Sequence, residues 1–198
     1  MRWLAVFSLW LISAEAGFGQ QTWQDLVFGS RLSQVEQTTG KKGWQLKRLE
    51  GPSMMYDSPS GHQEYEVAPD FDVKASTSKI PFHFTPNLLF APADQLQRIT
   101  LRLNTKRHNE EQVDAPLLTV IAAKAIQTAL AERYGTPLTK SGICDAVSSG
   151  DVSGGRGAPQ CTCSWIAEKQ RITLDWGFYS GNKLLLSISY ERIVPSGL

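Results

Sequence analysis

The chain has 198 residues, of which 41% are hydrophobic and 20% charged, with a formal net charge of +1. These are ordinary globular proportions, enough for one domain or two small ones. Near-neutrality excludes the basic footprint of a nucleic-acid binder, and no stretch beyond the leader is long and apolar enough to be a transmembrane helix.

Residues 1–16 have the order of a signal peptide. Arg2 supplies a short positive region, Trp3 to Ile12 an apolar run broken only by Ser8, and Ala14-Glu15-Ala16 small residues at the positions a signal peptidase reads. The run is too short to span a bilayer. Cleavage is expected near Gly17, with Gly19 or Gln20 as the alternative position. No cysteine follows the apolar run, so no lipid anchor is implied. The expected product is soluble and exported, either periplasmic or extracellular. It divides into a first half over 17–110 and a second over 111–198, possible parts of one continuous domain.

Trp23, Leu26 and Phe28 anchor the start of the mature chain. A helix is expected from Arg31 to Thr39, capped by Ser30 and stopped by Gly40. Trp44 to Leu49 reads as a strand, Gly51 to Gly61 as a loop, and Tyr65 to Val73 as a strand interrupted at Pro69. Ile80, Phe82 and Phe84 alternate with Pro81 and His83, which turns His83 toward water. Pro81 places that strand at an edge. Ile99, Leu101 and Leu103 alternate with Thr100, Arg102 and Asn104, and residues 104–114 read as a polar linker.

A helix from Ala115 to Tyr134 follows, capped by Asp114, with Pro116 in its first turn and Gly135 and Pro137 at its end. Leu117, Val120, Ile121, Lys124 and Leu130 mark its partly buried face. After a loop from Ser141 to Gln160 come three alternating rows. They are Cys161, Cys163 and Trp165; then Ile172, Leu174, Trp176 and Phe178; then Leu184, Leu186, Ile188 and Tyr190. Ser180-Gly181-Asn182 turns the last two into a hairpin.

Both halves thus read as a helix ending in glycine, then a Trp-bearing strand, then further alternating strands. The last strands, Arg98 to Asn104 and Leu184 to Glu191, occupy equivalent places. The expected fold class is α+β: two helix-then-strands halves forming an antiparallel sheet, with the helices on one face.

Export makes disulfides available to Cys144, Cys161 and Cys163. Cys161 and Cys163 point to the same side of one strand and bridge each other poorly. The expected bond joins Cys144 to Cys161 or to Cys163, leaving one thiol over. A three-thiolate metal site is the alternative, but no fourth ligand stands at zinc-like spacing, so no metal is expected.

Some of these residues carry a resemblance. Trp23, Phe28-Gly29, Val35 and Gly40 reproduce the W…FG-x-S…V…G opening of small exported bacterial proteins of unknown function. Tyr134-Gly135-Thr136-Pro137, Trp165, Ile172-Thr173-Leu174 and Ile188-Ser189-Tyr190 resemble their ending. That group is similar to the helix-plus-antiparallel-sheet modules of outer-membrane assembly lipoproteins and β-lactamase-inhibitor proteins. The resemblance covers most of the mature chain in outline. It departs in the absent lipoprotein cysteine and in Arg31, which stands where a serine is usual, with Ser30 one place earlier. It implies a protein that binds proteins.

Catalytic signals are sparse. His62, His83 and His108 lie in separate segments, none with a second ligand at metal spacing. His62 with Glu64 reads as a solvated loop pair. Glu64 with Glu66 and Asp70 with Asp72 read as exposed acidic rows, since no positioning motif accompanies them. There is no G-x-S-x-G elbow. The Gly/Ser stretch from Ser148 to Gly157, with Arg156, leads through Pro159 into a strand and lacks the helix a phosphate cradle needs. Trp23, Trp44, Trp165 and Trp176 read as core anchors, and no cofactor is expected.

The leading expectation is a non-enzymatic envelope protein that binds another envelope protein. Its surface would be the uncovered sheet face, including Thr100, Arg102, Thr173 and Asp175. One alternative is a small exported hydrolase with catalytic residues not singled out. Another is an anionic lipid or polysaccharide binder using Lys41, Lys42, Lys47 and Arg48 around Trp44.

Overall fold

The computed structural model describes residues 22–50, 61–73, 82–105, 115–142, 144, 161–167, 169–179 and 183–193. The expected leader, the expected loops over 51–60 and 145–160, Pro81, the expected cap Asp114 and the expected turn over 180–182 lie outside the described residues.

Among the described residues, two long helices and a large antiparallel sheet make the fold broadly α+β. A short hairpin, β1 (Thr22–Trp23) and β2 (Leu26–Val27), precedes helix α1 (Leu32–Lys41). The first set of strands is β3 (Gln45–Arg48), β4 (Gln63–Ala68), β5 (Phe71–Val73), β6 (Phe82–Phe90) and β7 (Leu96–Leu103). Helix α2 (Ala115–Tyr134) leads to the second set, β8 (Thr139–Gly142), β9 (Cys161–Ala167), β10 (Gln170–Tyr179) and β11 (Lys183–Arg192).

The sheet has nine strands in the order β3-β4-β6-β7-β11-β10-β9-β8, with β5 pairing β6 beside that path. Each of these two helices is thus followed by four strands placed in sequence order along the main path, the first set also holding β5, and the two last strands, β7 and β11, pair antiparallel at the middle. The equivalence of those strands in sequence becomes direct contact: Ile99 pairs with Tyr190 and Leu101 with Ile188.

The register lines up the apolar rows. Leu88, Ile99, Tyr190, Ile172 and Trp165 are successive cross-strand partners. All five are essentially buried and belong to one apolar cluster with Val35 of α1 and Ala122, Ala123, Ile126 and Leu130 of α2. Burying each large side chain contributes about 1.5–3 kcal/mol, so this row is a principal source of stability. Trp165 also donates its indole N–H to the Gly135 carbonyl at 2.9 Å, tying the end of α2 to the row.

Several local expectations need correcting. The N-cap of α1 is Arg31, not Ser30; its N–H donates to the Gln34 side chain at 2.9 Å, half of a capping box. The helix runs past Gly40 to Lys41, and the turn-out comes at Gly43, whose φ of +71° suits a residue without Cβ. Ile121 is 41% exposed, whereas Ala122, Ala123 and Ile126 are buried and belong to the same apolar cluster as the sheet rows. β6 is interior, between β4 and β7, rather than an edge. Pro86 is tolerated within it as the cross-strand partner of Leu101. The break anticipated at Pro69 is real: the Ala68–Pro69 peptide is cis and separates β4 from β5.

Candidate functional site

Alternation along each strand sends every second residue to the side opposite the apolar rows. Register then assembles two polar rows there. One runs Lys47, Glu66, Asn87, Thr100, Ser189, Thr173, Ser164 and Thr139, one residue from each strand of the main path. The next runs Thr85, Arg102, Ser187, Asp175, Thr162 and Ser141. Thr100, Arg102, Thr173 and Asp175, the four residues singled out in the sequence, therefore stand side by side. Ser189 and Ser187 fill the places between them.

These rows are internally bonded. Thr100 Oγ1 and Ser189 Oγ are 3.2 Å apart, Thr139 and Ser164 share a hydroxyl contact, and Thr162 donates to the Asp175 carboxylate. Arg102 Nη2 donates to Glu64 Oε1 at 2.8 Å. Glu64 sits on β4 two strands away and pairs with Leu89, whereas Arg102 pairs with Thr85. The ion pair thus reaches diagonally over the Asn87–Thr100 position. Asn87 and Thr100 are correspondingly buried, at 3% and 4% exposure. Thr100 is thus no free surface residue. Thr162, Thr173, Asp175 and Ser189 are half-buried, as are Glu66 and Thr85, while Lys47, Thr139 and Ser141 at the two ends of the rows are exposed. Asn87 carries one further feature: its Nδ2 is buried without a hydrogen-bond partner among the described residues, a donor whose desolvation is uncompensated.

Beside β6, Asp72 accepts from His83 Nδ1 at 2.6 Å, and Asp70 accepts from Thr85 Oγ1 and Asn104 Nδ2 at 2.7 Å each. His83 does occupy the polar side, but at 2% exposure it is not turned to water: its cross-strand partner Asp72 holds it. Asp70 and Asp72 are therefore structural acceptors as well as members of an acidic row. Sequence spacing gave no sign of this, because only the register of β5, which continues β4 along β6 after the break at Pro69, sets Asp72 opposite His83. His62 hydrogen-bonds Gln97 at 3.1 Å rather than acting with Glu64.

The basic run is dispersed. Lys42 pairs with Asp25 and lies 5.1 Å from the centre of the Trp44 ring; Lys47 stands opposite Glu66; and Arg48, next in the strand, points to the other side. Trp44 packs edge-on against Phe71 at 4.9 Å, a core-anchor role.

The cysteines converge. Cys144 and Cys161 form a disulfide, with Cα atoms 4.8 Å apart, closing a span of 17 residues. Cys163 is the remaining thiol, buried, with its sulfur 3.7 Å from each of the other two. Equal distances put it beside the S–S bond rather than on its extension, and exchange requires attack on one of the two sulfurs. Cys144 also lines an open groove of about 560 Å³ along α2, with Lys124, Gln127, Thr128, Ala131 and Glu132. Among the described residues, these three cysteines are the one group of His, Cys, Asp or Glu whose ligand atoms converge.

Among known proteins, no family model, curated protein or solved structure matches the chain. Its function must be argued from its own residues. No helix among the described residues is long and apolar enough to cross a membrane.

Proposed function

We propose that this is an exported, soluble α+β protein, secreted or periplasmic and without a lipid anchor, whose polar sheet side binds another protein of the cell envelope. In this reading both helices lie on the apolar side, and the chain performs no reaction of its own. One observation carries it: two unbroken polar rows cross the sheet, with Thr173, Asp175, Thr162 and Ser189 accessible on one half. A side that needed only solubility would use long charged side chains. Short hydroxyls and a carboxylate instead give a low-entropy, hydrogen-bonding surface suited to a polar partner. A disulfide agrees with an oxidising compartment.

The test places a photo-cross-linking residue at Thr173 or Asp175, and at Glu36 on α1 as control. A single saturable adduct from the sheet positions, lost in Asp175→Lys and absent from the control, supports the reading. Equal labelling from all three positions removes it.

A second reading, a small hydrolase, draws on buried His83 and its half-exposed partner Asp72, since a carboxylate that orients a histidine is one part of a triad. Ester turnover abolished in His83→Gln but retained in Asp175→Lys would favour it over protein binding.

A further inference from the structure

We propose that reduction of the disulfide converts Cys144, Cys161 and Cys163 into a three-thiolate site for one thiophilic monovalent ion, Cu(I). The three sulfurs lie within 4.8 Å of one another and all three residues are buried. An ion with metal–sulfur bonds of about 2.3 Å holds its thiolates about 3.8–4.0 Å apart. Cys163 already stands at 3.7 Å from both partners. Two edges of the ligand triangle are therefore close to the required length, and only the bonded edge has to open. Cys161 and Cys163 are held in β9, whereas Cys144 lies outside any strand, so its side chain is the one free to swing.

The reduction is a two-electron exchange. A dithiol reductant gives its two hydrogens to Cys144 and Cys161 and leaves as its own disulfide. The ion then replaces the thiol protons, which pass to solvent. Soft thiolates select Cu(I) and zinc among the common metals. Structural zinc takes four ligands, and no fourth His, Cys, Asp or Glu joins these three among the described residues. A three-coordinate monovalent ion needs none. Three thiolates and one monovalent cation leave excess negative charge. Lys124 in the groove beside Cys144 and Lys140, the cross-strand partner of Cys163, are placed to offset it. The groove at Cys144 is the entry path.

The test uses the full chain, reduced anaerobically with a dithiol, desalted, and titrated with Cu(I) held by a coloured chelator. The expected result is withdrawal of one ion per chain with a thiolate-to-copper band in the near ultraviolet, and no withdrawal by the oxidised protein. Cys163→Ser retains the Cys144–Cys161 bond, so its oxidised form reports folding. After reduction it should bind far more weakly, beyond the roughly 10–100-fold that changes in the shell outside the ligands cost. Equal affinity of reduced wild type and Cys163→Ser overturns the proposal, as does a reduced chain that is unfolded both with and without Cu(I). Zinc displacing Cu(I) at one per chain overturns the choice of ion.

Discussion

Thr100 Oγ1 and Ser189 Oγ stand 3.2 Å apart across β7 and β11, the strand pair that joins the two sets of strands. The contact lies directly behind the Ile99–Tyr190 pair, so the junction is apolar on one side and hydrogen-bonded on the other. Thr100→Val keeps the shape and removes the hydroxyl; with Thr100 at 4% exposure, the expected loss is about 1 kcal/mol. Combining it with Ser189→Ala should give a coupling of about 0.5–1 kcal/mol in a urea double-mutant cycle. Strict additivity would mean that the two hydroxyls do not hold the junction together.

The Arg102–Glu64 pair is a stronger case, because both side chains are mostly buried, at 22% and 13% exposure. Removing the guanidinium leaves a carboxylate with little water. Arg102→Leu should cost about 1–3 kcal/mol, while Arg102→Leu with Glu64→Leu should recover much of it, since neither charge then remains unpaired. A double variant as unstable as the single one would show that packing over Asn87 and Thr100, rather than charge, is what the pair supplies.

The cysteines separate two effects. Cys144→Ala removes the cross-link across 17 residues and should destabilise by about 3 kcal/mol on the chain-entropy account. Cys163→Ala should leave the bond intact by mass and cost about 1 kcal/mol of packing. In the wild type, Cys163 at 0% exposure should react with a maleimide only after denaturation. Labelling at the native rate of an exposed thiol would contradict its burial.

What the sequence revealed follows from how far each signal acts. Alternation and helix stops are local, and they located α2 to the residue, the rows of β9 to β11, and the side on which Thr100, Arg102, Thr173 and Asp175 lie. Partnership is not local. The pairing of Asp72 with His83 depends on β5 continuing past β4 along the same edge of β6, and the Arg102–Glu64 pair on an arginine reaching two strands across. β8 overlaps the expected loop at Ser141 and Gly142; Thr139 to Gly142 is wholly polar and has no alternation, and pairing with β9 makes it a strand. The disulfide choice stayed open between Cys161 and Cys163 because same-side spacing makes both reachable. Only the position of Cys144 in space distinguishes them.

Tyr190 ties stability to pH. It is fully buried, and its hydroxyl has no hydrogen-bond partner among the described residues. Burial raises its pKa well above the ordinary tyrosine range; the nearby Tyr134 adds to the rise and Arg133 opposes it. Tyr134 is also raised by burial, against the lowering effect of Arg133. In the unfolded chain these phenols lose their protons near pH 10. Above that pH the unfolded state binds fewer protons than the native one, so stability falls as pH rises. Below it the contribution is fully present and flat. Tyr190→Phe removes both the unpaired hydroxyl and the titration. It should be neutral to about 1 kcal/mol more stable at neutral pH, with a shallower decline above pH 10 than the wild type. Denaturation curves on either side of that pH provide the measurement. Parallel declines in the two proteins would mean that the Tyr190 hydroxyl finds water in the native state, contrary to its burial between Ile99 and Ile172.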